Sequence, residues 1–151
     1  MTTAARAKEF TFPVGVEWLG GRRMLATVEG KPGVAVMPPP VFRGTDPQTW
    51  SPEDLFVASA ATCFAVTFTG LAERAGVHVA SLRVDGAGTV GPRDDGRFGF
   101  TAVTLKVRIV VAPADVGTAT ELARKAEAQC LVAASFALPV HAELDVRAGA
   151  D

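Results

Sequence analysis

Between Leu55 and Leu71 the sequence LFVASAATCFAVTFTGL carries no charged residue, and its polar members are only Ser, Thr and Cys. Small hydroxyls and thiols can return their hydrogen bonds to the backbone one turn earlier, so the run reads as the middle of a long helix. Ser51 can cap its start, Pro52 suits the first helical position, and Glu53 and Asp54 favour the positive end of the helix dipole. Glu73 and Arg74 restore solvent contact in the last turn, and Gly76 suits the left-handed position that closes a helix. A helix apolar on every side has to be covered on most sides. The fold is therefore expected to be organised around Ser51–Gly76. The uncharged run stops short of the roughly 20 residues a bilayer core requires, and no second hydrophobic segment follows, so a core helix is expected and no membrane is implied.

With 151 residues the chain suffices for one domain, residues 1–151, burying about two thirds of its unfolded surface. A net charge of -1 gives no global attraction to nucleic acid or an anionic membrane, which leaves small molecules or another subunit as the expected partners. The opening MTTAARAKEF lacks the apolar core of a signal peptide, and cytoplasm is the expected compartment. There a pair of cysteines is more often reduced or redox-active than structural. Attention falls on Cys63 and Cys130.

Phe10, Phe12, Val14, Val16 and Trp18 alternate with other residues, which predicts a half-buried strand over 10–18. Gly20-Gly21 turns the chain, and Arg22 to Glu29 and Gly33 to Met37 read as two further strands of an antiparallel meander. Pro38-Pro39-Pro40 ends it. The loop to Trp50 holds Phe42 and Trp50, which either line a pocket or pin the loop down. After the long helix, Val77 to Val90 reads as a strand with a bulge near Ala80, GPRDDGR as a hairpin turn, and Phe98 to Val111 as its partner strand. Asp115 is a candidate cap for a second, amphipathic helix from Val116 to about Phe136, with Cys130 on its apolar side. Val140, Ala142, Leu144 and Val146 alternate as a closing strand. The expected class is α+β.

Free cysteines on apolar helix faces can be plain core residues. No CxxC occurs, and His78 and His141 are too few to complete a four-ligand site with two cysteines, so no metal is expected. His78 at a helix-to-strand junction and His141 at a strand start have no evident role as a base. GxSxG, P-loop and dinucleotide motifs are absent, and no cofactor is implied.

The motifs in order narrow this. Gly20-Gly21-Arg22, then Pro52-Glu53-Asp54-Leu55-Phe56, an alanine-rich turn leading to Cys63-Phe64, and finally Ala126-Glu127 with Cys130 are similar to those of the OsmC/Ohr family, the osmotically inducible protein C and organic hydroperoxide resistance proteins. The resemblance covers nearly the whole chain. It implies an intertwined homodimer with a long central helix and a second helix among antiparallel strands, and a thiol-dependent peroxidase for organic hydroperoxides. It also implies that Cys63 is the peroxidatic cysteine, Cys130 the resolving cysteine, Arg22 the arginine that supports the thiolate, and Glu53 the carboxylate that orients it, with a dithiol reductant of dihydrolipoyl type. A buried thiol needs a nearby positive group to reach its reactive form, and a sulfenic acid needs a second thiol to capture it before further oxidation. Two features depart from the family pattern: Cys130 precedes Leu131-Val132 where the hydroperoxide resistance branch has Cys-Pro, and Arg23 stands beside Arg22 on what reads as a strand, where the two would point to opposite faces. A non-catalytic stress or ligand-binding protein of the same fold is the alternative.

Overall fold

A computed structural model describes residues 7–149, in two compact units, Met1–Pro52 and Glu53–Asp151.

The N-terminal unit is a three-stranded antiparallel sheet of β1 (Gly15–Gly20), β2 (Arg23–Thr27) and β3 (Val34–Val36), in that spatial order. Gly20 and Gly21 both have positive φ, the conformation that lets so short a connection reverse the chain. The Trp18 indole N–H closes the reversal by donating to the Gly21 carbonyl at 3.0 Å. The first strand is shorter than its alternation predicts: Gly15 pairs with Thr27, and residues 10–14 lie outside any strand. Nor is the alternating face half-buried. Phe10, Phe12, Val14, Val16 and Trp18 are all exposed, Phe12 to 86%, because the alternation marks a face and no described residue of the unit lies over it. Arg22 falls in the turn, not on a strand, so the expected opposition of Arg22 and Arg23 across a sheet does not arise. After β3 the chain makes a 3-10 turn at Pro40–Phe42, and Met37 N–H donates to the Trp50 carbonyl at 2.9 Å.

The C-terminal unit holds the long helix α1 (Pro52–Arg74) against a sheet of β4 (Val79–Pro92), β5 (Phe98–Val111) and β6 (Val140–Ala148). The close of α1 follows from Gly76. Its positive φ lets Gly76 N–H reach Glu73 O at 3.1 Å and Val77 N–H reach Ala72 O at 2.9 Å, the paired bonds of a Schellman motif. β4 and β5 form the expected long hairpin, and the register slips at Ala80, where a bulge was predicted, and again at Thr89. To these antiparallel pairs β6 adds a parallel one, running beside β5 from Val103↔Val140 to Val111↔Ala148, as a strand returning through a helical crossover must.

The core face of this sheet carries Val103, Leu105, Val107, Ile109 and Val111, all buried, with Ala142 beside Leu105. On α1 the residues Ala60, Phe64, Phe68, Leu71 and Ala72 belong to the same core. Two glycines of β4 admit the helix: a Cβ on Gly86 would lie 2.7 Å from Val57 Cγ1, and one on Gly88 2.7 Å from Val57 Cγ2. The sheet therefore receives a helix side chain where its own side chains are missing. Only part of α1 is covered, against the expectation of burial on most sides: Val66 is 71% exposed, and Thr62 and Thr69 are exposed as well. By length and composition this helix could also cross a membrane, and among the described residues it is the one that could. The second helix is not continuous to Phe136. α2 (Val116–Gln129) stops at Cys130, whose φ of -65° and ψ of 104° are extended, and α3 (Leu131–Ala134) follows as a single turn. Asp115 occupies the position before α2 but its side chain makes no capping bond, since its own backbone is already helical in a 3-10 turn over Pro113–Asp115.

Candidate active site

Cys63 lies at the middle of α1, one residue before the buried Phe64, so its thiol sits at the edge of the core and is half-buried. Cys130, 3% exposed, is brought to it by the break between α2 and α3. The Cys130 carbonyl accepts from Ala134 N–H at 3.0 Å and so starts α3. The extended Cys130 backbone thus reorients the chain at the residue whose thiol meets Cys63. Glu127 fixes the end of α2, its Oε1 accepting from Ala142 N–H of β6 at 3.0 Å. Past α3, Phe136 stacks on Phe56 of α1 at 4.2 Å between ring centroids, and Phe56 stacks on Phe100 of β5 at 4.3 Å. The segment 130–136 is held to α1 at both ends, by the thiol pair and by the rings.

The two thiols differ in acidity. Burial pushes the Cys63 thiol up, but the Val132 backbone N–H, the Cys130 thiol, the Thr67 hydroxyl and the Leu131 backbone N–H all donate to its sulfur, and the balance falls below the ordinary thiol range. Burial pushes Cys130 up too. A backbone N–H at Ala133 opposes that, while its hydrogen bond to Cys63 and the charge there keep it protonated, so Cys130 lies above the ordinary range. A hydrogen-bonded pair in which one sulfur is biased to thiolate and the other to thiol is one nucleophile with one proton donor.

Of the four residues singled out in the sequence, the structure brings together Cys63 and Cys130. Glu53 stands in the first turn of α1, ten residues before Cys63 in an unbroken helix and so about 15 Å away along the axis. Its Oε2 is buried and finds no hydrogen-bond partner among the described residues. A buried carboxylate oxygen without a donor is costly, and a cation is the usual remedy. Arg22 belongs to the N-terminal unit, where its Nη1 donates to the Phe42 carbonyl at 3.1 Å. In the same unit Phe42 and Trp50 are partly exposed, 38% and 50%. His78 precedes β4 and His141 pairs with Thr104 in β6; both are exposed, and no His, Cys, Asp and Glu cluster able to hold a metal occurs among the described residues. The sequence reading missed Thr67 and the N–H groups of Leu131 and Val132. Thr67 was findable, being one helical turn after Cys63; the backbone donors exist only because of a helix break that no Gly or Pro announces.

The family model of OsmC-like proteins matches residues 44–145. The uncharacterized protein YmaD of Bacillus subtilis is 27% identical over 142 residues, spanning 91% of this chain and 92% of YmaD. Among solved structures, an OsmC-like protein of unknown function from Vibrio cholerae superposes with a TM-score of 0.83 at 18% identity, over 92% of this chain and all of the other. The organic hydroperoxide resistance protein OhrB of Bacillus subtilis superposes with a TM-score of 0.63 at 25% identity, over 91% of this chain and 98% of OhrB.

Proposed function

The chain belongs to the OsmC family, and from that membership we propose that it is a thiol-dependent peroxidase that reduces organic hydroperoxides. The observation that carries the reading is the thiol pair: Cys63 biased toward thiolate, hydrogen-bonded to a Cys130 biased toward thiol. The Cys63 thiolate attacks the terminal peroxide oxygen, the O–O bond breaks, and the leaving alkoxide takes a proton to depart as an alcohol. Cys63 is then a sulfenic acid. The Cys130 sulfur attacks it, water leaves, and a Cys63–Cys130 disulfide remains. An external dithiol, of dihydrolipoyl type by family resemblance, restores both thiols. The apolar core beside the pair, with the Phe56, Phe100 and Phe136 rings stacked at the far end of the 130–136 segment, favours an alkyl hydroperoxide over hydrogen peroxide.

In this reading Arg22 supports the Cys63 thiolate and Glu53 orients Arg22. The length of helix between Glu53 and Cys63 supports assigning these roles to different subunits of a homodimer, in which the cysteines of one protomer work with Arg22 and Glu53 of the partner subunit. The uncovered apolar residues support such an assembly: Val66 on α1, and Phe10, Phe12, Val16 and Trp18 in the N-terminal unit, are surface that a stable monomer rarely leaves to water.

One equivalent of tert-butyl hydroperoxide added to the reduced protein tests the chemistry. Intact mass should show the loss of two hydrogens, and peptide mapping should join Cys63 to Cys130. Thiols that survive an excess of peroxide would leave a ligand-binding or stress role for the fold and end the peroxidase reading.

A further inference from the structure

From Val103 to Val111 the odd-numbered residues of β5 face the core, and the same period carried back would turn Phe100 away from it. A bulge reverses this. Thr89 pairs with Ala102 but Val90 with Phe100, so Thr101 is an extra residue in β5 and Phe100 comes to the core side. There its ring stacks on Phe56 of α1 with the planes 17° apart, while Phe136 stacks on Phe56 with the planes 11° apart. Centroid spacings of 4.3 and 4.2 Å leave room for these two rings only on opposite faces of Phe56. Phe56 is thus clamped between the sheet and the segment that follows Cys130.

Backbone hydrogen bonds carry the clamp to Cys130. The carbonyls of Cys130, Val132 and Ala133 accept from the N–H groups of Ala134, Ser135 and Phe136 at 3.0, 3.0 and 3.2 Å, and the Ser135 hydroxyl donates to the Leu131 carbonyl at 2.8 Å. Residues 130–136 therefore move as one turn, with Cys130 at its start and Phe136 at its end. Leu131, Ala134 and Ser135 are exposed, and of residues 131–136 only Phe136 packs its side chain on the core cluster.

We propose that Phe136 is a positioning residue for the resolving thiol: its ring, stacked on Phe56, holds the turn that carries Cys130 where the Cys63–Cys130 disulfide forms. This role presupposes the thiol pair of the peroxidase reading, yet it concerns closure of the disulfide, which an oxidant other than hydroperoxide can drive. Oxidised glutathione takes two electrons from the pair. Its S–S bond breaks, the Cys63–Cys130 bond forms, and the two thiol protons end on two molecules of reduced glutathione. The position of this equilibrium reports how well the fold holds one sulfur for the other, and a loosened turn shifts it toward the reduced form.

The test equilibrates the protein with mixtures of reduced and oxidised glutathione, quenches with acid and quantifies the Cys63–Cys130 disulfide by peptide mapping. Phe136→Leu keeps an apolar side chain and removes the flat ring; its disulfide should become about tenfold easier to reduce, or about 30 mV for a two-electron couple. Phe136→Tyr keeps the ring and should match the wild type. Should Phe136→Leu not fold, Phe100→Leu loosens the same row from the sheet side, with the same expected direction. Leu144→Ala thins the core on β6 without touching the row, and should leave the equilibrium where it is. An unmoved equilibrium in Phe136→Leu overturns the proposal, and so does an equal shift in Leu144→Ala, which would assign the effect to general loosening. A wild type that forms only mixed disulfides with glutathione overturns it as well. The comparison of variants does not depend on turnover of hydroperoxide, so failure here is distinguishable from failure of the proposed activity.

Discussion

Replacing Gly88 by alanine adds one methyl group where α1 and the sheet meet, and its effect can be worked from three distances. The new Cβ would lie 2.5 Å from Phe100 Cε1, 2.7 Å from Val57 Cγ2 and 3.1 Å from Phe100 Cδ1. Neither neighbour can withdraw cheaply. Phe100 is stacked on Phe56, which is stacked in turn on Phe136, so its ring moves only if the row of rings moves. Val57 is β-branched on a helix and has essentially one χ1 rotamer. Overpacking of this kind costs about 1–3 kcal/mol. Against it stands the reduced freedom of the unfolded chain, worth about 0.4–1 kcal/mol for Gly→Ala. The net expectation is a loss of about 1–2 kcal/mol, or a Tm lower by about 2–8 °C for a domain of this size. Urea unfolding followed by circular dichroism, at one fixed protein concentration because the proposed dimer would make stability concentration-dependent, measures it. Gly91→Ala is the matched control: it lies in the same strand, has no positive φ, and its Cβ would meet nothing within 4 Å. Gly88→Ala as stable as Gly91→Ala would refute the reasoning, since it would mean that α1 can lift from β4 at no cost.

Cys63, whose folded pKa is depressed, should favour the folded state increasingly as pH rises from that pKa to the ordinary thiol value; Cys130, whose folded pKa is raised, should oppose folding as pH climbs beyond the ordinary thiol value. Urea midpoints measured across this range should lose the first trend in Cys63→Ser and the second in Cys130→Ser. Oxidation of Cys130→Ser with excess organic hydroperoxide should carry Cys63 past sulfenic to sulfinic acid, seen by intact mass, whereas the wild type stops at the disulfide. Mixed dimers of Cys63→Ser and Arg22→Ala chains should recover about half the wild-type activity per dimer if sites are shared, since one site then carries both lesions and the other neither; no recovery would place each site within one chain. Light scattering at micromolar concentration should give a dimeric mass, and a monomer would count against the assembly.

Much of this protein was determined by local pattern. The limits of α1 follow from Ser51-Pro52-Glu53-Asp54 at one end and Gly76 at the other, and β5 from a strict alternation through Val103, Leu105, Val107 and Ile109, because capping chemistry and side-chain period act over a few residues and need no partner. Even the bulge at Ala80 was legible, as a slip in period. The identity of the two cysteines that meet was readable as well, through the order of the family motifs. Tertiary structure alone decided the rest. The break at Cys130 has no Gly or Pro behind it, since residues 126–134 contain neither, and it falls between α2 and the Phe136 stack on Phe56. The inequality of the thiols likewise depends on backbone N–H groups that a continuous helix would have used internally. The apolar stripe from Phe10 to Trp18 shows the opposite limit. Alternation shows that one face differs from the other, but what covers that face is a property of packing, and Phe10, Phe12, Val14, Val16 and Trp18 are exposed.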